Sequence, residues 1–383
     1  MAVPLPEKLR CYLRQAGSWL ETKRQFVCAR WRGHTTSFYV PADAPEMSPD
    51  ALDLSDVLDG TVEAMPSVVP ELFVAQLKAV AAKAHSTEVL PGQLHERSSV
   101  STGRSWFSHR RDYLVYVPSD YDGREASPVV VVLHGCRQTH QDIRAISGFD
   151  AIAERERFIV VYPFVTRYWS PRNRNCWAWW MSQHINAGSG EVEDIARIVQ
   201  QVQDEFSVDP QRIHITGLSS GAGMAVAALV AHGQLFASGA SVAGVAYGES
   251  ARSVRITPLL MIKYRSLAYI VERMRAQLSI AGRGRLAPLL VVQSEADETV
   301  EMQSGLNLRD SWLAVHDVDI SEVQHLEGQT RGIRWQYEHY GELVGFLTTE
   351  QLPHGWVGGL PGEYSDARGP NISEVIWLYF KDA

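Results

Sequence analysis

The chain has 383 residues, 45% of them apolar, and a formal net charge of −8 from 36 basic and 44 acidic side chains. That length fills one large α/β domain with additions or two ordinary domains, and the acidic balance, without any Lys/Arg run interleaved with aromatics, excludes a nucleic-acid groove. No apolar run is long enough to span a bilayer, so no transmembrane segment is predicted.

The N-terminus, MAVPLPEKLRCYLRQAGSW, lacks the unbroken apolar core of a secretory signal, and a cytoplasmic chain is expected. Residues 1 to about 85 contain helix-like stretches such as ELFVAQLKAVAAKAH, interrupted by the loop PADAPEMSPD, with no catalytic spacing. The Ser-, Gly- and Pro-rich stretch HSTEVLPGQLHERSSVSTGRS (85–105) reads as a linker. Residues 1–103 are therefore expected to form a mostly helical N-terminal segment with its linker, and 104–383 the catalytic domain.

From about Ser105, apolar β-branched runs alternate with amphipathic segments. SPVVVVLHG (127–135), RFIVVYP (157–163), RIHITGLS (212–219) and APLLVVQS (287–294) read as buried parallel strands. Between the second and third, Val192, Ile195, Ile198, Val199, Val202 and Phe206 recur at helical spacing. The alternation predicts a doubly wound, mostly parallel sheet with helices on both faces, whose active site lies at the carboxyl ends of the strands.

In HITGLSSGAGM two serines stand side by side, and a Gly-x-Ser-x-Gly frame fits only Ser219, between Gly217 and Gly221. Such a frame makes a tight strand-to-helix turn that exposes a nucleophile in strained backbone. Ser220 then contributes its amide to an oxyanion hole. Asp297, in EADETV just beyond a strand end, is the candidate acid, with Glu295 as runner-up. Among the downstream histidines, His316, His325 and His339 sit in polar segments read as surface, whereas His354 lies in the loop LPHGWVGG, suited to a general base. The second oxyanion donor is expected after the strand VVVVL, where His134, Gly135 and Cys136 follow; His134 is read as structural. Of the four cysteines, Cys11, Cys28, Cys136 and Cys176, none is in CxxC spacing, and neither a metal nor a cofactor is predicted.

The stretches LHGCRQ, NCWAWW, GEVEDIARIVQQV, VDPQRIHITGLSSGAGM, EADETV and HGWVGG together resemble the polyhydroxybutyrate depolymerase family of esterases, which includes feruloyl and acetylxylan esterase relatives. The resemblance covers roughly residues 105–383. It implies an α/β-hydrolase fold, a Ser219–Asp297–His354 triad, the Cys136 and Ser220 amides as oxyanion hole, and a Cys136–Cys176 disulfide bracing two loops, where a cytoplasmic setting alone would imply thiols. Gln293 and Ser294 replace the family's frequent His-Gly, and Val357 a common Ser. One or two of Trp177, Trp179 and Trp180, in the aromatic run that starts at Tyr168 and Trp169, are expected to line an acyl subsite, with Trp356 a further substrate contact. The expected activity is a serine carboxylic ester hydrolase on polyhydroxybutyrate or its oligomers, with a polymer granule surface as a partner. Feruloyl or acetylxylan esterase activity and a non-catalytic granule-binding protein are the alternatives.

Overall fold

The computed structural model describes residues 26–31, 34–39, 71–85, 90–100, 107–165, 175–255, 261–280 and 286–382. The chain divides into two units, Met1–Pro66 and Ser67–Ala383.

In the first unit, β1 (Phe26–Trp31) and β2 (His34–Tyr39) form an antiparallel pair, with Phe26 opposite Tyr39 and Trp31 opposite His34. These twelve residues form strands within the stretch expected to be mostly helical. HTTSFY is rich in Thr, Phe and Tyr, which suit a pleated strand, and its shortness hides it beside longer helical patterns. PADAPEMSPD lies outside the described residues.

The second unit runs, in chain order, α1 (Glu71–Ala82), β3 (Gln93–Ser98), β4 (Asp112–Val117), β5 (Ser127–Leu133), α2 (His140–Ser147), α3 (Phe149–Glu156), β6 (Ile159–Pro163), α4 (Ser182–Ile185), α5 (Gly190–Glu205), β7 (Val208–Leu218), α6 (Ser220–Ala231), β8 (Ser238–Val242), α7 (Leu267–Ile280), β9 (Leu289–Ser294), α8 (Met302–His316), β10 (Gln324–Thr330), β11 (Ile333–Tyr340), β12 (Val344–Thr349), β13 (Trp356–Val357), β14 (Ser365–Asp366) and α9 (Ile372–Asp382). Ten strands make one sheet in the order β10-β11-β12-β9-β8-β7-β5-β6-β4-β3. From β12 to β6 every pairing is parallel, while β10–β11, β11–β12, β4–β6 and β3–β4 are antiparallel.

The apolar runs form central strands because both faces are covered. Along β5, Val129, Val131 and Leu133 join a core with Ile195 of α5, Met224 of α6, Ile270 of α7 and Trp312 of α8. Val130 and Val132 point the other way, to Leu77 of α1, Ile143 of α2, Ile152 of α3 and Ile376 of α9. The layered α/β architecture is the one expected. Helix α6 is buried along its whole length, so it carries no polar face. Among the described residues no helix is long and apolar enough to cross a membrane.

The boundary differs from that read in the sequence. Residues 93–98, expected as linker, form the edge strand β3 against β4, from Gln93 opposite Val117 to Ser98 opposite Asp112. An edge strand facing solvent keeps polar side chains, which is why QLHERS resembles a loop. Helix α1 belongs to the second unit as well: Leu77 and Ala81 are buried in its core, and the Asn371 amide donates to the Ala81 carbonyl at 2.8 Å.

Candidate active site

Ser219 stands between the last residue of β7 and the first of α6, with φ 57° and ψ −115°. A positive φ on a non-glycine residue is strained, and here steric closeness enforces it. A β-carbon at Gly217 would lie 2.6 Å from the Gly221 carbonyl carbon, and one at Gly221 would lie 2.4 Å from the Leu133 oxygen. The two glycines let α6 approach the ends of β7 and β5. The turn is locked by the Ser219 amide donating to the Val242 carbonyl at 2.9 Å and the Gly223 amide donating to the Ser219 carbonyl at 3.0 Å.

Asp297 lies three residues beyond β9 and is buried. Its Oδ1 accepts from the Thr299 and Val300 amides, both at 2.8 Å, and its Oδ2 accepts from His354 Nδ1 at 2.6 Å. Because the carboxylate accepts the Nδ1–H hydrogen bond, the neutral ring has its lone pair on Nε2. Glu295, the alternative acid, is exposed and lines a separate surface cavity. His339 packs against the Phe73 and Tyr337 rings, with centroids 5.5 and 6.0 Å away, and none of His316, His325 and His339 lines the Ser219 cavity.

The His354 loop is tied on several sides. Ser294 Oγ donates to the Leu352 carbonyl at 2.5 Å, and Gln293 Nε2 donates to the Val300 carbonyl at 2.7 Å. Two of the three residues that depart from the family pattern, Gln293 and Ser294, thus brace the acid and base loops. Further on, the Trp356 amide donates to Tyr364 and the Gly358 amide to Arg368. Trp356 Nε1 donates to Ser373 Oγ at 3.0 Å, and that hydroxyl donates to the Ser147 carbonyl at 2.5 Å.

Cys136 and Cys176 are disulfide-bonded, with Cα atoms 4.2 Å apart. The loop after β5 is further shaped by Gln138, whose Oε1 accepts from the Gly135 amide at 2.8 Å, and by Asn175, whose Nδ2 donates to the Gln138 carbonyl at 3.3 Å. His134 is fully buried, its Nδ1 bonded to the Gly135 carbonyl at 2.8 Å and its Nε2 accepting from the Val165 amide at 3.2 Å. Burial pushes its pKa down to about 4, so it is a neutral structural group. The aromatic loop is anchored by the buried Glu191, which accepts from the Ala178 amide at 2.7 Å. Sequence reading missed Gln138, Asn175 and Glu191. The available signal was a Glu and an Asp, 191 and 194, beside the apolar stripe of α5, where a carboxylate must find a partner; Arg111 Nε donates to Asp194 at 2.9 Å.

A cavity of about 530 Å³ collects these parts: Ser219, Ser220, His354, Cys136 and Cys176 all line it. Ser220 opens α6, where the first amides have no acceptor within the helix; its amide and that of Cys136 are the candidate oxyanion donors. Trp179 and Trp180 line the same cavity, edge to face with centroids 5.5 Å apart. Trp177 and Trp356 do not. Both are completely buried; Trp177 packs on the His134 ring at 5.6 Å and Trp356 against Phe149 at 6.1 Å. As substrate contacts these two are corrected to core residues. Tyr168 and Trp169 lie outside the described residues.

The Esterase PHB depolymerase family model matches residues 111–330. Over 133 residues the chain is 37% identical to poly(3-hydroxyalkanoate) depolymerase C of Paucimonas lemoignei, covering 34% of this chain and 31% of that protein. It thus spans about a third of that relative's length. Acetylxylan esterase A of Emericella nidulans is 24% identical over 252 residues, covering 63% of this chain and 79% of the relative. Among solved structures, an acetyl xylan esterase from Aspergillus awamori shares the fold with a TM-score of 0.57 at 18% identity, over 76% of this chain and all of that one.

Proposed function

Since this chain belongs to the Esterase PHB depolymerase family, we propose that it is a serine carboxylic ester hydrolase acting on polyhydroxybutyrate-type polyesters or their oligomers through an acyl-enzyme. One arrangement carries this reading: the strained Ser219 and the Asp297-bound His354 open onto one cavity with the Cys136 and Ser220 residues.

In this mechanism His354 Nε2 takes the Ser219 proton as Oγ attacks the ester carbonyl, and the Cys136 and Ser220 amides stabilise the oxyanion. His354 then gives that proton to the leaving alkoxide as the carbon–oxygen bond breaks. Asp297 holds the imidazole tautomer throughout. Water, activated by the same imidazole, releases the acid and restores Ser219. Trp179, Trp180, Val245 and Leu218 provide an apolar wall for the acyl chain.

Product analysis on amorphous polyhydroxybutyrate, its oligomers and methyl ferulate side by side tests the substrate. Release of hydroxybutyrate or its oligomers, with methyl ferulate turned over far more slowly, is expected; the opposite ranking favours the activity named for the acetylxylan and feruloyl esterase relatives. No turnover of any ester, p-nitrophenyl butyrate included, would leave a binding role. Cytoplasmic residence is tested by cell fractionation: recovery of the protein with the cytoplasmic fraction supports it, and recovery outside the inner membrane, where a Cys136–Cys176 bond persists, contradicts it.

A further inference from the structure

The charge lining the cavity is one-sided. Arg137 and Arg255 line it, and no Asp or Glu is among its described lining residues, although the chain as a whole is acidic by eight charges. The two arginines differ. Arg255 is engaged: its Nε donates to the Glu298 carbonyl at 3.1 Å and its Nη2 pairs with Glu301. Arg137 has no hydrogen-bond or ion-pair partner among the described residues. It is exposed, follows the candidate oxyanion residue Cys136 directly, and holds a left-handed backbone at φ 68°. The loop carrying it is fixed by the disulfide and by Gln138.

We infer that Arg137 is a specificity-determining residue that receives a carboxylate on the leaving-group side of the ester, so that the preferred substrate is a short hydroxyacid oligoester with a free carboxyl end. The inference rests on the ester-hydrolase reading and narrows it. In an oligomer of a 3-hydroxyacid, the terminal carboxylate is joined to the ester oxygen through a short carbon link. A scissile carbonyl bound at the Cys136 amide therefore leaves that carboxylate directed toward the adjacent guanidinium, which donates two parallel N–H bonds to a carboxylate. A fully exposed ion pair adds little. The apolar lining residues Trp179, Trp180, Val245, Val254 and Val300 lower the local dielectric and focus the arginine field into the cavity. Acylation forms the Ser219 ester, breaks the bond between the carbonyl carbon and the alkoxy oxygen, protonates that oxygen from His354 and releases a hydroxycarboxylate; water then hydrolyses the Ser219 ester, which frees the acyl half as an acid and restores the serine. Acetyl and feruloyl esters of sugars offer no such anion.

The test compares kcat/KM for the 3-hydroxybutyrate trimer as free acid and as methyl ester, in the wild type, Arg137→Gln and Arg137→Lys, with melting temperatures taken to confirm folding. The wild type should prefer the free acid by about 10-fold or more, the worth of one charged hydrogen bond; Gln should collapse that preference and Lys should keep part of it. A wild type without preference, a preference that survives in Gln, or a Lys variant no better than Gln would overturn the assignment. Hydrolysis of p-nitrophenyl butyrate separates the two levels of failure: if it proceeds while the preference is absent, only the Arg137 inference falls, and if no ester is cleaved, the ester-hydrolase reading falls with it.

Discussion

At Ser219 the backbone is held by crowding: with β-carbons excluded at Gly217 and Gly221, α6 sits against the strand ends and the serine has nowhere to relax. At His354 the backbone is held by hydrogen bonds that reach it from distant segments, through Ser294, Ser373 and Ser147, Tyr364 and Arg368. The first region depends on short-range packing and the second on a polar network. The nucleophile corner is therefore sensitive to one added methyl group, whereas the base loop has several anchors and tolerates the loss of one.

The largest effect separates the two serines. Ser219→Ala should lower kcat by about 10⁶ if the triad acts as a unit, while Ser220→Ala, which keeps its amide, should lose little; the reverse ranking in steady-state kinetics would break the assignment of the corner. On the base side, Asp297→Asn should cost about 10⁴ in kcat by upsetting the His354 tautomer, and an unchanged rate would sever that loop from the chemistry. Between the regions stands the disulfide. Cys176→Ser should lower kcat by less than the roughly 10²–10³ that removal of an oxyanion donor costs, since Gln138 and Asn175 still hold the loop. It should also lower the melting temperature, because a closed loop contributes about 2–4 kcal/mol. Unchanged activity and melting temperature would remove the brace from the account.

The smallest expected effect is a gentle acid destabilisation. Burial holds His134 at about 4 and His214 at about 3, both below the ordinary 6.5. The unfolded chain then binds more protons, so this stability is present above about 6.5 and is lost as pH falls toward 4. The denaturant midpoint at pH 5 should lie below that at pH 7; an equal or higher midpoint would contradict neutral, buried histidines.

The contrast also explains what could be read from residues alone. Gly217 and Gly221 are two residues from Ser219 on either side, so the crowding that shapes the corner is written locally. Asp297 was legible because LLVVQS ends just before it, and His354 because its loop is rich in glycine and proline. The anchors of that loop, Ser147 and Ser373, lie far away in sequence and carry no local signal. In NCWAWW, nothing in the spacing tells that Trp177 turns to His134 while Trp179 packs against Gly223. Strand β8, SGASV, escaped notice because its small residues suit close packing against α6 rather than an apolar run. Polar β3 failed to register for the opposite reason, its exposure at the sheet edge.

The central claim, that Ser219 becomes acylated, is tested most directly by mapping a covalent adduct. After brief reaction with a fluorophosphonate, peptide mass spectrometry of the intact-chain protein should place a single modification on Ser219, and Asp297→Asn should slow its formation. An adduct on Ser220 or another residue, or no adduct under conditions where p-nitrophenyl butyrate is hydrolysed, would contradict it.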